Sequence, residues 1–214
     1  MKATNRIAVN TIIQYTRLVV SALISLISVR WILGALGDDD YGLYDVIAGV
    51  IGLLSFVSSS LSMTSTRFLS VSIGKNDLER TRKTFNACFW MHLLMAAALV
   101  LALEIVALFI FDGYLKIAPD RIPTAKWIYQ FMLVSLFVSI ADTPFVSMLI
   151  YHEKFVYVSL VSIVDALCKL GIAYIITVYS GDRLWLYGIL MAGITLLNAV
   201  CYVVYCMIRY RHLM

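Results

Sequence analysis

The stretch VNTIIQYTRLVVSALISLISVRWILG (9–34) decides the fold class. It is long and apolar enough to cross a bilayer as a helix, which takes about 17 to 25 residues. Comparable runs follow five more times, at roughly 43–70, 85–111, 127–150, 155–179 and 184–208. Only 14% of the residues are charged, against roughly 25% in soluble domains. We therefore predict an all-α polytopic membrane protein, with six transmembrane helices (spans 1 to 6) in a single domain over 1–214.

The basic residues that flank the spans predict the orientation. Nine of them lie on one side of the membrane and four on the other. The first group is Lys2, Arg6, Lys75, Arg80, Arg82, Lys83, Lys154, Arg209 and Arg211, and the second is Lys116, Arg121, Lys126 and Arg183. Because Lys and Arg accumulate in cytoplasmic loops, we expect both termini in the cytoplasm. Span 1 contains a charged residue and has no small-x-small cleavage site after it, so we expect it to remain as an anchor.

Span 1 carries a polar stripe with an arginine inside it. At about 100° per residue the stripe residues fall within about 80° of one another. They are Asn10, Gln14, Arg17, Ser21, Ser25 and Ser28. An ionised side chain at this depth is costly unless it faces a bundle interior or a watery cavity. We predict that Arg17 lines a transport cavity, with an interhelical ion pair as the alternative, and that Arg30 points to nearly the opposite side.

Span 2 has a second stripe, composed mainly of small residues. Its members are Asp45, Gly49, Gly52, Phe56, Ser59, Met63, Arg67 and Ser70. Small residues let a neighbouring helix backbone come close, so Gly49, Gly52 and Ser59 predict a packing seam. Asp45 and Arg67 are the possible functional groups of this stripe.

Three acidic residues inside the spans are candidates for proton or ion coupling. Asp165 lies four residues before Lys169 in span 5, which predicts a local ion pair that could open to take a proton or an anionic head group. Glu104 and Asp142 are single carboxylates in apolar surroundings, where carboxylates often form proton relays. Their alternative is an ion pair with Arg17, Arg30 or Lys169. Pro144 predicts a kink in span 4.

No enzyme signature is convincing. The run 38–40 formally contains a DxD pattern, but in a short loop with no nucleotide-binding fold around it we expect a solvated acidic turn. His92, His152 and His212 lack metal-ligand spacing, and no phosphate-binding or nucleophile motif is found. We predict no catalytic residue, metal or cofactor. The basic residues are divided among loops, which argues against a nucleic-acid partner. Four cysteines in the spans, Cys88, Cys168, Cys201 and Cys206, are expected to be buried thiols.

Four segments carry a family resemblance. They are DDDYGLYDVIAGVIGLLSF (38–56), SMTSTRFLSVSIGKND (62–77), AKWIYQF (125–131) and TPFVSMLIYHEKF (143–155). In order and spacing they resemble the first half of bacterial polysaccharide biosynthesis proteins. These are lipid-linked oligosaccharide flippases of the multidrug/oligosaccharidyl-lipid/polysaccharide exporter superfamily. The resemblance covers nearly the whole chain.

The resemblance implies a fold of two six-helix lobes around a central cavity in the bacterial inner membrane, with this chain supplying the N-terminal lobe. In such flippases, cationic side chains of the cavity are thought to engage the pyrophosphate of an undecaprenyl-linked oligosaccharide. Arg17 is the best match for that role, on one face with Gln14 and Asn10. Arg30 and Arg67 are weaker matches.

The chain is shorter than the family pattern. The expected partner is either a missing C-terminal lobe, through a truncated or split gene or a fragment of a longer protein, or a second copy of a half-size protein. Two functional alternatives remain. A cation-coupled drug antiporter of the same superfamily would bind through carboxylates such as Glu104, whereas a non-transporting subunit of a glycan-assembly complex would use its charges only to join helices.

Overall fold

The computed structural model describes residues 3–74, 77–111 and 117–213, and all regular structure in these ranges is helical. The helices are α1 (Ala3–Gly52), α2 (Ser55–Gly74), α3 (Leu78–Phe109), α4 (Ile122–Ala141), α5 (Thr143–Tyr151), α6 (Phe155–Val178) and α7 (Arg183–Tyr210), followed by a 3-10 turn (Arg211–Leu213). The all-α prediction is confirmed.

Five helical segments within these ranges are long and apolar enough to cross a membrane. They are Val9–Gly52, Leu78–Phe109, Ile122–Tyr151, Phe155–Val178 and Arg183–Tyr210. The prediction had six, and the difference lies in the first two spans. Span 1 and the beginning of span 2 form the single helical run α1, whereas the rest of span 2 is α2, which is rich in serine and threonine and therefore less apolar.

Gly37 interrupts α1 with a non-helical backbone, at φ 78° and ψ 171°. Before it, α1 runs beside α6 in the same direction, since Arg17 contacts Ser162 and Ile32 packs near Ile172. After it, α1 runs beside α4, from Asp40 next to Arg121 to Gly52 beside the last turns of α4.

The two parts of α1 point in opposite directions. Helix α7 is parallel to α4, because the start of α4 meets the start of α7 at Thr124 and Asp182 and the end of α7 reaches α5. It is antiparallel to α6, as the bond between Asp165 and Asn198 and that between Tyr157 and the Cys201 carbonyl show. Because α4 and α6 therefore run in opposite senses, the chain reverses at Gly37.

Among the residues that the structure describes, buried side chains form three clusters. The α4 cluster joins the second part of α1, the C-terminal half of α3, and α4; it comprises Ile47, Ile51, Ala96, Leu103, Ala107, Ala125, Ile128, Tyr129, Leu133, Leu136, Ile140 and Leu184. The α5 cluster comprises Leu69, Phe85, Phe145, Met148, Leu149, Val158, Cys206, Tyr210 and Leu213. The α6 cluster comprises Ile32, Ala35, Ile172, Ala173, Ile176, Tyr187 and Ile194. Cys88 is also buried, but Cys168 and Cys201 are only half-buried, so the cysteine prediction holds for two of the four.

Two predicted features of the spans have opposite outcomes. The kink at Pro144 is confirmed, because α4 ends at Ala141 and a separate helix begins at Thr143. The packing seam predicted on span 2 is not formed with any helix that the structure describes. A Cβ built on Gly49 or Gly52 would meet no atom within 4 Å, so these glycines border open space.

Candidate functional site

A cavity of about 560 Å³ lies between α1, α6 and α7. Its polar lining comes from the span 1 stripe and the facing side of α6: Arg17, Ser21, Ser25, Ser28, Ser162, Asp165 and Lys169. The fold brings these residues together because the first part of α1 packs along α6. Four of the six residues of the predicted stripe therefore line this cavity.

Arg17 is half-buried in this cavity and has no acidic partner. Its Nη1 donates to Ser162 Oγ at 3.4 Å, and a neutral hydroxyl cannot neutralise a guanidinium. Throughout the residues that the structure describes, no carboxylate comes within ion-pair distance of Arg17. The hydroxyl of Ser21, one turn further along α1, is buried and also lacks a hydrogen-bond partner in the described part of the chain. The cavity thus presents an uncompensated cation and an unused hydroxyl.

Asp165, in contrast, is fully engaged by protein groups. Lys169 Nζ lies 2.8 Å from its Oδ2, which confirms the predicted local ion pair. Asn198 Nδ2 donates to its Oδ1 at 2.7 Å from α7. One protein group thus binds each carboxylate oxygen, and Asp165 forms no ion pair with Arg17.

Helix α7 supplies two residues that sequence reasoning missed. Asn198 bonds Asp165, and the hydroxyl of Tyr202 lies beside that of Ser162, near Asp142 and Arg17. The two residues are four positions apart and share one helix face, which is the signal that could have revealed them. They connect the cavity to the break between α4 and α5.

The structure leaves the other predicted binding residues outside the cavity. Asn10 and Gln14 are half-buried on α1, one to two turns before Arg17. Arg30 and Arg67 are exposed, Arg30 because it lies on another face of α1 and Arg67 because α2 packs on α3 and α5 instead. The expectation that these two arginines share a site with Arg17 is not met within this chain.

Glu104 and Asp142 do not form the ion pairs that we considered for them. Glu104 Oε1 accepts from Gln130 Nε2 at 2.9 Å, in a separate cleft of about 190 Å³ between α3 and α4. Asp142 is half-buried at the break between α4 and α5. No cation lies within ion-pair distance of either carboxylate in the ranges that the structure describes.

The acidic run 38–40 is only partly the solvated turn that we expected. Asp38 and Asp39 are exposed, but Asp40 is 8% exposed and lies 2.5 Å from Arg121 Nη2. Arg121 Nη1 also approaches Asp182 Oδ1 at 3.5 Å. This ion-pair network joins the reversal of α1 to the beginnings of α4 and α7, on the side of the lobe away from α5.

A family model described as MatE matches residues 16–175 of the 214. The chain belongs to the MatE family. MatE proteins are transporters and not enzymes, and they form part of the multidrug and polysaccharide exporter superfamily. The family match and the apolar helices make this chain a multi-pass membrane protein. The matched range includes Arg17, Asp165 and Lys169. No curated protein and no solved structure matches the chain.

Proposed function

We propose that this MatE chain is one lobe of a flippase that moves undecaprenyl-pyrophosphate-linked oligosaccharide across the bacterial inner membrane in polysaccharide or lipopolysaccharide biosynthesis. The observation that carries the proposal is the unneutralised Arg17 in the cavity between α1, α6 and α7. A planar guanidinium binds phosphate oxygens in pairs, and a pyrophosphate is the anionic part of such a substrate.

The other polar residues of the cavity fit an anionic ligand as well. Lys169 adds a second cation, although its ion pair with Asp165 holds it. Ser21 offers a hydroxyl with no partner among the described residues. Gln14 and Asn10 extend the polar face along α1, and we propose that they follow the path of the substrate.

We further propose six membrane crossings with both termini in the cytoplasm. The reversal at Gly37 supports the count, because it divides α1 into a first crossing and the beginning of a second, which α2 continues. The excess of basic residues on the side of the termini supports the orientation.

The exposed face of α2 supports a partner for this lobe. Arg67 is exposed there, and the hydroxyls of Ser60 and Thr64 donate to the preceding turn. A lipid-facing guanidinium is costly, so we propose that this face and Arg30 border a C-terminal lobe or a second copy of the chain. Either partner would complete the central cavity.

Coupling to a proton or cation gradient belongs to the same proposal. Asp165 and Asp142 lie near Tyr202, at the edge of the cavity. Glu104 is in another cleft, which makes it the weaker candidate. The second candidate function is a cation-coupled drug antiporter, which would bind through carboxylates; Asp165 lines the cavity, although Lys169 and Asn198 bind it.

The test is surface glycan display in cells that depend on this gene. Arg17→Ala is expected to abolish display while the amount of protein in the membrane stays normal, and Arg17→Lys is expected to restore part of it. Arg82→Ala, which removes an exposed arginine near the beginning of α3, is the matched control. Normal display with Arg17→Ala would disprove the role of Arg17. If Asp165→Asn or Glu104→Gln is more damaging than Arg17→Ala, the antiporter is favoured. If all three substitutions are tolerated, a non-transporting subunit is favoured.

A further inference from the structure

Two neighbouring spans of the lobe are broken at the same depth. The second span is interrupted at Leu53–Leu54, between the end of α1 and the start of α2. There Leu54 N–H donates to the Ile51 carbonyl and Val57 N–H to the Leu54 carbonyl, both at 3.0 Å, which is three-residue spacing in place of the four-residue spacing of an α-helix. The fourth span is interrupted at Asp142, between α4 and α5.

Contacts between the two spans show that the two breaks lie at a similar depth. Gly52, at the first break, lines the same cavity as Ser135 and Ser139 in the last turns of α4. The second break follows Ser139 by three residues. Beyond the breaks, α2 packs closely on α5. The same boundary therefore divides both spans, and the segments beyond it remain in contact with each other.

The buried clusters divide at this boundary too. On one side the end of α1 and helix α4 contribute to the α4 cluster, and on the other α2 and α5 contribute to the α5 cluster. Helices α3 and α7 continue through the boundary and contribute to both clusters. The fully buried side chains of each half of the broken spans therefore belong to its own cluster, and across the break Leu61 of α2 packs against the α4 cluster.

His92 lies on α3 where the two clusters meet. Phe89, one turn before it, packs on the α5 cluster, and Ala96, one turn after it, belongs to the α4 cluster. The ring is fully buried, with Nδ1 at 2.7 Å from the Cys88 carbonyl. Its Nε2 has no partner among the described residues. A buried nitrogen without a hydrogen bond costs free energy, and opening the boundary to water would relieve that cost.

We propose that α2 and α5 move together as a gate, bending about Leu53–Leu54 and Asp142–Pro144 against the rest of the lobe. The motion would change the exposed face that carries Arg67, and it would give water access to His92. This proposal does not depend on the identity of the substrate, because only the two breaks and the two clusters support it. It can therefore be tested without a substrate.

The experiment measures distances between pairs of spin labels in lipid nanodiscs. The labels are attached to genetically encoded keto amino acids, so the four cysteines are unchanged. Exposed Val46 and Val71 flank the first break; an unbroken helix would hold them about 38 Å apart. The control pair, exposed Ile189 and Ile208, crosses the same boundary within the continuous α7. We expect two populations for the first pair, the bent one shorter, and one population for the control pair.

Alanine substitutions test whether the break is the pivot. Gly52 is the last helical residue before the break, and a Cβ there would meet open space, so alanine favours a helix that continues through the break without causing a clash. Gly52→Ala is expected to shift the population ratio about two- to fivefold toward the longer distance. Gly193→Ala, also in open space but within α7, is the matched control and is expected to leave the ratio unchanged.

Two results would overturn the proposal. One is a Val46–Val71 distribution as narrow as that of the control pair, which would make the break a rigid kink. The other is a population ratio that does not respond to Gly52→Ala, or that responds equally to Gly193→Ala. Neither result would bear on the role of Arg17 in glycan export.

Discussion

The reversal at Gly37 gives the sharpest test of the fold. Gly37 has φ 78° and ψ 171°, a region of backbone space that only glycine adopts readily. A Cβ at this position would meet no atom within 4 Å. Gly37→Ala therefore introduces backbone strain with no steric clash, and the expected loss of unfolding free energy is about 1 to 3 kcal/mol.

Gly34→Ala provides a control on the same helix. Gly34 also borders open space, but no positive φ is found there. Alanine at such a site is expected to stabilise the protein by about 0.5 to 1 kcal/mol, because glycine loses more backbone freedom on folding. The two variants carry the same chemical change and should have opposite effects.

The assay is unfolding of the detergent-solubilised protein by sodium dodecyl sulfate, followed through tryptophan fluorescence. The predicted difference between the two variants, about 1.5 to 4 kcal/mol, is the sum of the strain and the helix-propensity effects. If Gly37→Ala is as stable as Gly34→Ala, the non-helical conformation of Gly37 is not required, and α1 does not reverse there.

Three further predictions concern the packing and the polar contacts between helices. Gly188→Ala is expected to destabilise the protein by about 1 to 3 kcal/mol in the same assay, since its Cβ would lie 3.2 Å from Ile128; an unchanged midpoint would contradict the close approach of α4 and α7. Arg121→Met should leave Asp40 without its partner and lower the free energy of unfolding by about 1 to 3 kcal/mol. Adding Asp40→Asn to this variant should restore part of that stability. If it restores none, the ion pair is not formed. Tyr129→Phe removes a buried bond to the Leu103 carbonyl and should cost about 0.5 to 1.5 kcal/mol; a stability equal to that of the parent protein would contradict it.

The length of the apolar runs predicted the last two spans well. The first two spans differ from the prediction because of the turn between them. The predicted spans 155–179 and 184–208 correspond to Phe155–Val178 and Arg183–Tyr210. Between spans 1 and 2 we expected a loop, but a single glycine makes the turn and the acidic residues after it are helical. A run of Asp carries no apolar signal, and the partner of the buried Asp40 is Arg121, 81 residues away in the sequence.

The candidate site was predictable only where it lies on one helix. The spacing of Arg17 and Ser21 fixed the polar face of span 1, and the order of Asp165 and Lys169 fixed their pairing, because both follow from helical geometry. Which helix faces that stripe depends on tertiary packing, which periodicity does not encode. The bond between Asn198 and Asp165 therefore appeared only in the structure.

This bond also explains why the cavity keeps a positive charge. Arg17 and Lys169 bring two cations to the lining, and Asp165 brings one anion. If Asp165 were free, it could turn to Arg17 and form an interhelical ion pair, which would close the cavity to anions. In the structure Asp165 bonds Lys169 and Asn198 instead. A guanidinium left without a counter-ion at this depth requires water or an anionic ligand, and a passage for a pyrophosphate would provide both.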